Sequence, residues 1–132
     1  MARVQITAEL ACPPERVWET VTDLTRQDWR SDVERVEVTG ERRFVEYAAG
    51  GVATVFTVTR REPPCHWAFD LENENIKGSW AGEFHPAAGG CTVTFTEDVT
   101  PKKAWMRPLA GLYLRRQQRR YPAELKMALG LR

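Results

Sequence analysis

The sequence contains few of the residues on which metal centres, disulfide frameworks and membrane spans depend. It has three cysteines, an odd number with no CxxC pair, and two histidines among 132 residues. These counts argue against a disulfide framework or a zinc ribbon and are typical of proteins in a reducing cytosol. No run approaches the ~20 apolar residues of a membrane span, and the GG pairs open no phosphate-binding helix. We therefore expect a cytoplasmic protein without a metal ion or other cofactor.

Charges of both signs are present, but they are distributed unevenly along the chain. Residues 1–100 hold ten Lys/Arg and seventeen Asp/Glu, whereas residues 101–132 hold nine Lys/Arg and only one acidic residue. The pattern predicts a basic final helix packed on an acidic body. An alternative is weak contact with a membrane or a protein partner through Arg115, Arg116, Arg119 and Arg120. Few aromatic residues are interleaved with these arginines, so we expect no nucleic-acid partner.

The first part of the chain predicts one strand followed by two short helices. The stretch "VQITAEL" alternates like a strand, and "CPPERVWETV" opens a helix with Val17, Trp18 and Val21 on one apolar stripe. We interpret Trp18 as the residue that anchors this helix on the sheet. Asp23 is positioned to cap a second short helix, "LTRQDW", over residues 24–29.

The remainder predicts about six strands and one long helix, in a single domain over residues 1–132. The strands alternate and are separated by turns such as "AAGG" and "ENEN". The helical repeat runs from Pro101 to Gly130; we expect Pro108 to start the regular helix and Pro122 to kink it near residues 118–122. The fold class is therefore α+β: a curved antiparallel sheet of about seven strands wrapped around a long C-terminal helix, with two short helices after the first strand.

Strand parity predicts an aromatic interior. Five large residues should face inward from the strands, namely Trp67, Phe69, Trp80, Phe84 and Phe95. They either fill the core or line a pocket between sheet and helix. Gly78 and Gly82 share the face of Trp80 and favour a pocket slightly, because they leave space beside a large ring. The helix offers three polar groups that either meet a ligand or are satisfied within the core, namely Tyr113, Gln117 and Tyr121.

Glu97 is the candidate for acid–base chemistry. Its parity, shared with Phe95 and Val99, points it inward near the end of the last strand, where its carboxylate either reaches solvent or needs a partner. His66 and His85 fall on the outward parity, and pairing the strands about "ENEN" sets His66 opposite Ala81. We therefore expect no metal site. No Ser–His–Asp or Cys–His arrangement can be assembled from the pattern.

Two stretches carry a resemblance to a known superfamily. The first, "ITAELACPPERVWETVTDLTRQDWRSDVERVEV", looks like the opening strand, the A-x-P-x-x-V-W helix start and the W-x-x-x-V of the START-like, helix-grip (SRPBCC) proteins, in their polyketide cyclase/dehydrase-like branch. The second, "GSWAGEFHPAAGGCTVTFTEDV", is similar to the glycine–aromatic strand and the final strand of that branch. Cys12 stands where members often carry Ser or Asp before the helix.

The resemblance implies a hydrophobic cavity between the sheet and the C-terminal helix. Members bind lipids, sterols, aromatic polyketides or other apolar molecules there, and a minority catalyse cyclisation or dehydration. It also implies that Trp29 lies near the cavity mouth, partly wall and partly core. The leading expectation is a monomer or homodimer that binds a small apolar molecule. The alternatives are a cyclase or dehydrase that uses Glu97, and an accessory protein that docks through the basic helix.

Overall fold

The structure, a computed structural model, describes residues 2–48, 51–106 and 119–131. The strands of these residues form one seven-stranded antiparallel sheet in the order β1-β7-β6-β5-β4-β3-β2. The chain crosses from β1 to β2 through a helix, and the later strands follow one another as hairpins. The strands are β1 Ala2–Leu10, β2 Val33–Gly40, β3 Arg43–Ala48, β4 Ala53–Glu62, β5 His66–Glu72, β6 Ile76–Ala87 and β7 Gly90–Pro101.

Helix α1, Pro14–Thr22, packs its apolar stripe on the inner face of the sheet. It has no side-chain cap, which costs little because the two prolines at its start lack the N–H groups that a cap would satisfy. Trp18 contacts Trp67 and Phe84 edge-on, with ring centroids 6.1 and 6.0 Å apart. Trp18 is therefore the anchor of α1, as the sequence predicts.

The second short helix expected at residues 24–29 is wrong, because side chains there compete for the backbone. Asp23 Oδ1 accepts hydrogen bonds from the Thr25 amide and the Thr25 hydroxyl at 3.0 and 2.6 Å. Gln27 Nε2 donates to the Asp23 carbonyl at 2.8 Å. These bonds hold the segment in two successive turns. As a result, Trp29 and Arg30 lie in a segment of turns and not on a helix.

The final helix is described over residues 119–128. Pro101 still belongs to β7 and Ala104–Met106 form a 3-10 turn, so the long helix does not begin at Pro101. The start expected at Pro108 lies outside the described residues, as does the beginning of the kink expected over residues 118–122. The C-terminal end agrees with expectation: Gly130 has φ +72°, and the Leu131 amide bonds back to the Lys126 carbonyl at 2.8 Å. No helix among the described residues is long and apolar enough to cross a membrane.

The β5–β6 hairpin has a register that differs from the expected one by two residues. Asn73 Oδ1 accepts hydrogen bonds from the amides of Asn75 and Ile76, and the Asn73 amide bonds to the Ile76 carbonyl. This turn pairs His66 with Glu83, and the pairing of His66 with Ala81 is therefore wrong. An asparagine that closes a turn with its own side chain gives no signal in the alternation of apolar residues.

Candidate functional site

A cavity of about 580 Å³ lies between the inner face of the sheet and the C-terminal helix. Strands β3 to β7 supply its floor, and Tyr121 and Glu124 approach it from the helix. The turns after α1 close a third side through Leu24, Gln27 and Arg30. A volume of this size is in the range of small-molecule sites.

Five aromatic rings, one from each of the strands β3 to β7, form a continuous band on this floor. Phe44 stacks on Phe56 at 4.8 Å, and Phe56 meets Phe69 edge-on at 4.9 Å. Phe69 stacks on its cross-strand partner Trp80 at 5.0 Å, and Trp80 stacks on Phe95 at 5.3 Å. Each ring therefore fixes its neighbour, which gives a rigid apolar surface along this side of the cavity.

The aromatics expected at the site do not all reach the cavity. Trp67, Phe69, Trp80 and Phe95 line it, whereas Phe84 does not. Phe84 is 0% exposed, and its ring packs against Trp18 and Phe95. Phe84 therefore belongs to the filled core under α1. The set is thus divided between the wall of the cavity and the filled core.

The interpretation of Gly78 and Gly82 as open space beside Trp80 is wrong. A Cβ atom on Gly82 would lie 2.8 Å from Trp80 Cη2, because the indole lies across this glycine. A Cβ atom on Gly78 would collide with the Asp98 carbonyl of the neighbouring strand. Neither glycine lines the cavity. They allow close approach of a ring and of a backbone, which is the other common reason for glycine in a strand.

Tyr121 and Trp29 lie together at one end of the aromatic band. Tyr121 lines the cavity and meets Phe95 and Trp29 edge-on at 5.1 and 5.3 Å. Burial raises the pKa of Tyr121 well above its ordinary value, although Arg30 opposes the shift, so the hydroxyl remains protonated. Trp29 is behind Tyr121, and its buried Nε1 has no acceptor among the described residues. Trp29 therefore supports the wall from outside.

Of the remaining candidate residues on the C-terminal helix, the structure describes only Arg119 and Arg120. Tyr113, Gln117, Arg115 and Arg116 lie outside the described residues. Arg119 and Arg120 are both exposed, and Arg120 also reaches the cavity.

A polar cluster around Arg30 forms one end of the cavity, and the sequence analysis missed it. Arg30 Nη1 contacts Glu46 Oε2 at 2.7 Å, and Nη2 contacts Glu46 Oε1 at 3.2 Å and Asp32 Oδ2 at 3.3 Å. Burial alone would lower the pKa of Arg30, but Glu46, Tyr121 and Asp32 together raise it above its ordinary value. A signal was available: the parity of β3 puts Glu46 on the same face as the buried Phe44.

Glu97 lies on the cavity floor at the Tyr121 end of the band. It follows Phe95 and precedes Val99 on the inner face of β7, and its cross-strand partner on β6 is Trp80. Its side chain therefore lines the cavity beside the aromatic band. Glu124 also faces the cavity, with its carboxylate accepting from the Ser31 amide and hydroxyl at 2.7 and 3.1 Å.

The two histidines are gathered around Glu83, away from the cavity. His66 Nε2 is 3.1 Å from Glu83 Oε1, and His85 Nε2 is 3.6 Å from Glu83 Oε2. The hydrogen bond from His66, assisted by His85, lowers the pKa of Glu83. Within residues 2–48, 51–106 and 119–131, no group of three or more His, Cys, Asp or Glu side chains is arranged to hold a metal ion.

Comparisons with known proteins agree with this architecture. Solved structures of similar fold include a START superfamily protein from Mycobacterium smegmatis, with TM-score 0.79 and 13% identity over 97% of this chain and 99% of that chain. A protein from Mesorhizobium loti has TM-score 0.81 and 14% identity over 97% of this chain and 96% of that chain. DynU16, a putative protein in the dynemicin biosynthetic locus, has TM-score 0.78 and 16% identity over 98% of this chain and 48% of that chain.

At these identities the likeness shows the fold alone, which is the helix-grip fold of the START superfamily. No curated protein matches the chain. The model of one sequence family, described as polyketide cyclase/dehydrase and lipid transport, matches residues 1–129. The chain therefore belongs to the polyketide cyclase/dehydrase and lipid transport family.

Proposed function

We propose that the protein binds a small, largely apolar aromatic molecule in the cavity between sheet and C-terminal helix. The observation that carries the proposal is the aromatic band, whose rings line a cavity of about 580 Å³. A planar ligand would gain both burial of apolar area and contacts between aromatic rings there, and such contacts add about 0.5–1.5 kcal/mol per aromatic pair. The band also favours rings over flexible chains, because an alkyl chain loses more conformational freedom on binding.

The family description supports a ligand of this kind, since it joins polyketide chemistry with lipid transport. DynU16, from a biosynthetic locus, supports it more weakly, because its identity to this chain is 16%. Fold alone would not select a ligand. The aromatic band is the observation that supports an aromatic ligand over a lipid.

Substituting tryptophan for Val52 should block the cavity. Val52 lines the cavity immediately before β4, whereas its neighbour Ala53 is exposed. Naphthol should bind Val52→Trp at least about tenfold more weakly than wild type, because the added indole occupies ligand space. Titration calorimetry on the full chain measures this.

The matched control for this substitution is Ala53→Trp, which adds the same ring outside the cavity. It should leave naphthol affinity unchanged within about twofold. Equal losses in both variants, or saturable binding that ignores Val52→Trp, would contradict binding in this cavity.

The second candidate function is an enzyme of the cyclase or dehydrase kind. It is favoured by the presence of Glu97 and Tyr121 on the same cavity. Glu97 would exchange a proton with a carbon or oxygen of the substrate, and the protonated Tyr121 hydroxyl would donate a hydrogen bond to a carbonyl oxygen. General acid–base catalysis of this type contributes about 10²–10⁴-fold.

Glu97→Gln separates catalysis from binding. Turnover of a bicyclic β-hydroxyketone to its enone, followed by absorbance, should fall at least about 10²-fold, while the affinity for naphthol changes little. Asp98→Asn is the matched control, because Asp98 is the next residue and lies on the opposite face of β7. Activity that survives Glu97→Gln would exclude this function and leave the binding proposal intact.

A further inference from the structure

The polar groups that line the cavity indicate which ligand charge it accepts. We propose that the cavity takes neutral or cationic aromatic molecules that carry a hydrogen-bond donor, and that it discriminates against carboxylates and other anions. The proposal rests on the proposed binding function and makes it more specific. It follows from the state of Arg30, from the charges on the lining, and from the hydrogen-bonding groups that remain available.

The terminal donors of Arg30 are already used, so an anion could bind to them only by displacing a partner that is already present. Its Nη1 meets Glu46 and, at 3.4 Å, Gln27 Oε1, while its Nη2 meets Glu46 and Asp32. The four N–H groups on these two nitrogens therefore all face acceptors. The remaining donor, Nε, is buried and has no partner among the described residues. A ligand carboxylate would have to displace Glu46, leaving that carboxylate buried without its cation.

Carboxylates outnumber cations on the described part of the cavity wall. Even with Glu97 left out of the count, two guanidiniums line it, those of Arg30 and Arg120, against the three carboxylates of Asp32, Glu46 and Glu124. An anion that approaches this described part of the wall therefore meets more carboxylates than guanidiniums at reduced dielectric constant. Arg120 forms no ion pair with a described residue, but it is exposed, so water and salt screen its attraction for an anion.

The available hydrogen-bonding sites have the same preference. A carboxylate offers about four acceptor positions. Glu46 uses two of them on Arg30 and Asp32 uses one, which leaves acceptors for an O–H or N–H of the ligand. The Tyr121 hydroxyl, which makes no hydrogen bond with another described residue, can donate to a ligand carbonyl. A phenol, an amine or a hydroxyketone matches these groups, and a carboxylate does not.

A ligand series of constant shape tests the proposal. Naphthol, naphthylmethylammonium and naphthoate share one ring system and differ in charge, and each is titrated into the full chain by calorimetry at low ionic strength. The neutral and cationic members should bind at least about tenfold more tightly than naphthoate. Naphthoate binding as tight as the other two would overturn the inference while leaving the proposed function standing. If no member of the series binds, both are overturned.

Glu46→Gln should shift this preference toward anions. The substitution removes the main partner of Arg30 and frees its donors, so naphthoate should gain about tenfold and naphthylmethylammonium should lose about as much. Glu34→Gln, an exposed acidic residue on β2, is the control and should change neither affinity. If Glu46→Gln does not fold, Asp32→Asn provides the same test in a more exposed position. If the folded variant keeps the wild-type order of affinities for the three ligands, the Arg30 cluster does not set the charge preference, and this part of the inference is overturned.

Discussion

Replacing Arg30 with methionine should lower the free energy of unfolding by on the order of 3 kcal/mol. Glu46 and Arg30 are both largely buried, and the substitution leaves Glu46 and Asp32 facing each other's charge without a cation. Methionine retains most of the apolar part of the arginine side chain, so little empty space is created. The loss of stability therefore arises mainly from the two carboxylates that are left without a cation. Guanidinium chloride unfolding of the two proteins at neutral pH measures the difference.

Two comparisons identify the cause of this loss. Arg35→Met removes an arginine that is 62% exposed and 3.7 Å from Glu37, so it should cost less than about 1 kcal/mol. The double variant Arg30→Met/Glu46→Leu should recover part of the loss, because it replaces the ion pair with apolar groups. An Arg30→Met protein as stable as wild type would contradict the whole account.

The aromatic floor could be predicted from sequence, because strand parity is a local property. Trp67, Phe69, Trp80 and Phe95 alternate with small or polar residues, and each faces inward as expected. Strand alternation could not show that Phe84 belongs to the core and Phe95 to the cavity wall, because both side chains point to the inner face of the sheet. The difference arises from α1, which covers Phe84 through Trp18 and leaves the Phe95 region open. That contact depends on tertiary packing, which no single strand encodes.

The Arg30 cluster could not be predicted in the same way, because it depends on irregular backbone. Residues 24–32 form turns set by individual hydrogen bonds, such as the 2.6 Å bond from the Thr25 hydroxyl to Asp23. A helix over these residues would have directed Arg30 elsewhere. Its pairing with Glu46 joins two segments of the chain that meet only after the sheet has formed. The apolar floor therefore follows from the alternation of the strands, and so does Glu46 at the polar end. Arg30 and Asp32 lie in the irregular segment and follow no such period.

Leu125→Ala should destabilise the protein by about 2–5 kcal/mol. Leu125 is 0% exposed and lies on the inner side of the C-terminal helix. The last turn of that helix is also tied to α1, since Arg16 Nη2 donates to the Leu129 carbonyl at 2.6 Å. Among the described residues of this helix, Leu125 is one of the buried side chains that dock it, and its truncation leaves a void that the sheet cannot fill. Denaturant unfolding provides the measurement.

Met127→Ala provides the matched control, two residues further along the same helix. Met127 is 78% exposed, so its truncation should change stability by less than about 0.5 kcal/mol. The two variants should also differ in ligand binding, because Tyr121 and Glu124 reach the cavity from the turn that Leu125 holds in place. Leu125→Ala should therefore weaken naphthol binding as well as folding, and Met127→Ala should change neither. A Leu125→Ala protein of unaltered affinity would mean that the sheet alone holds the ligand and that the helix contributes only stability.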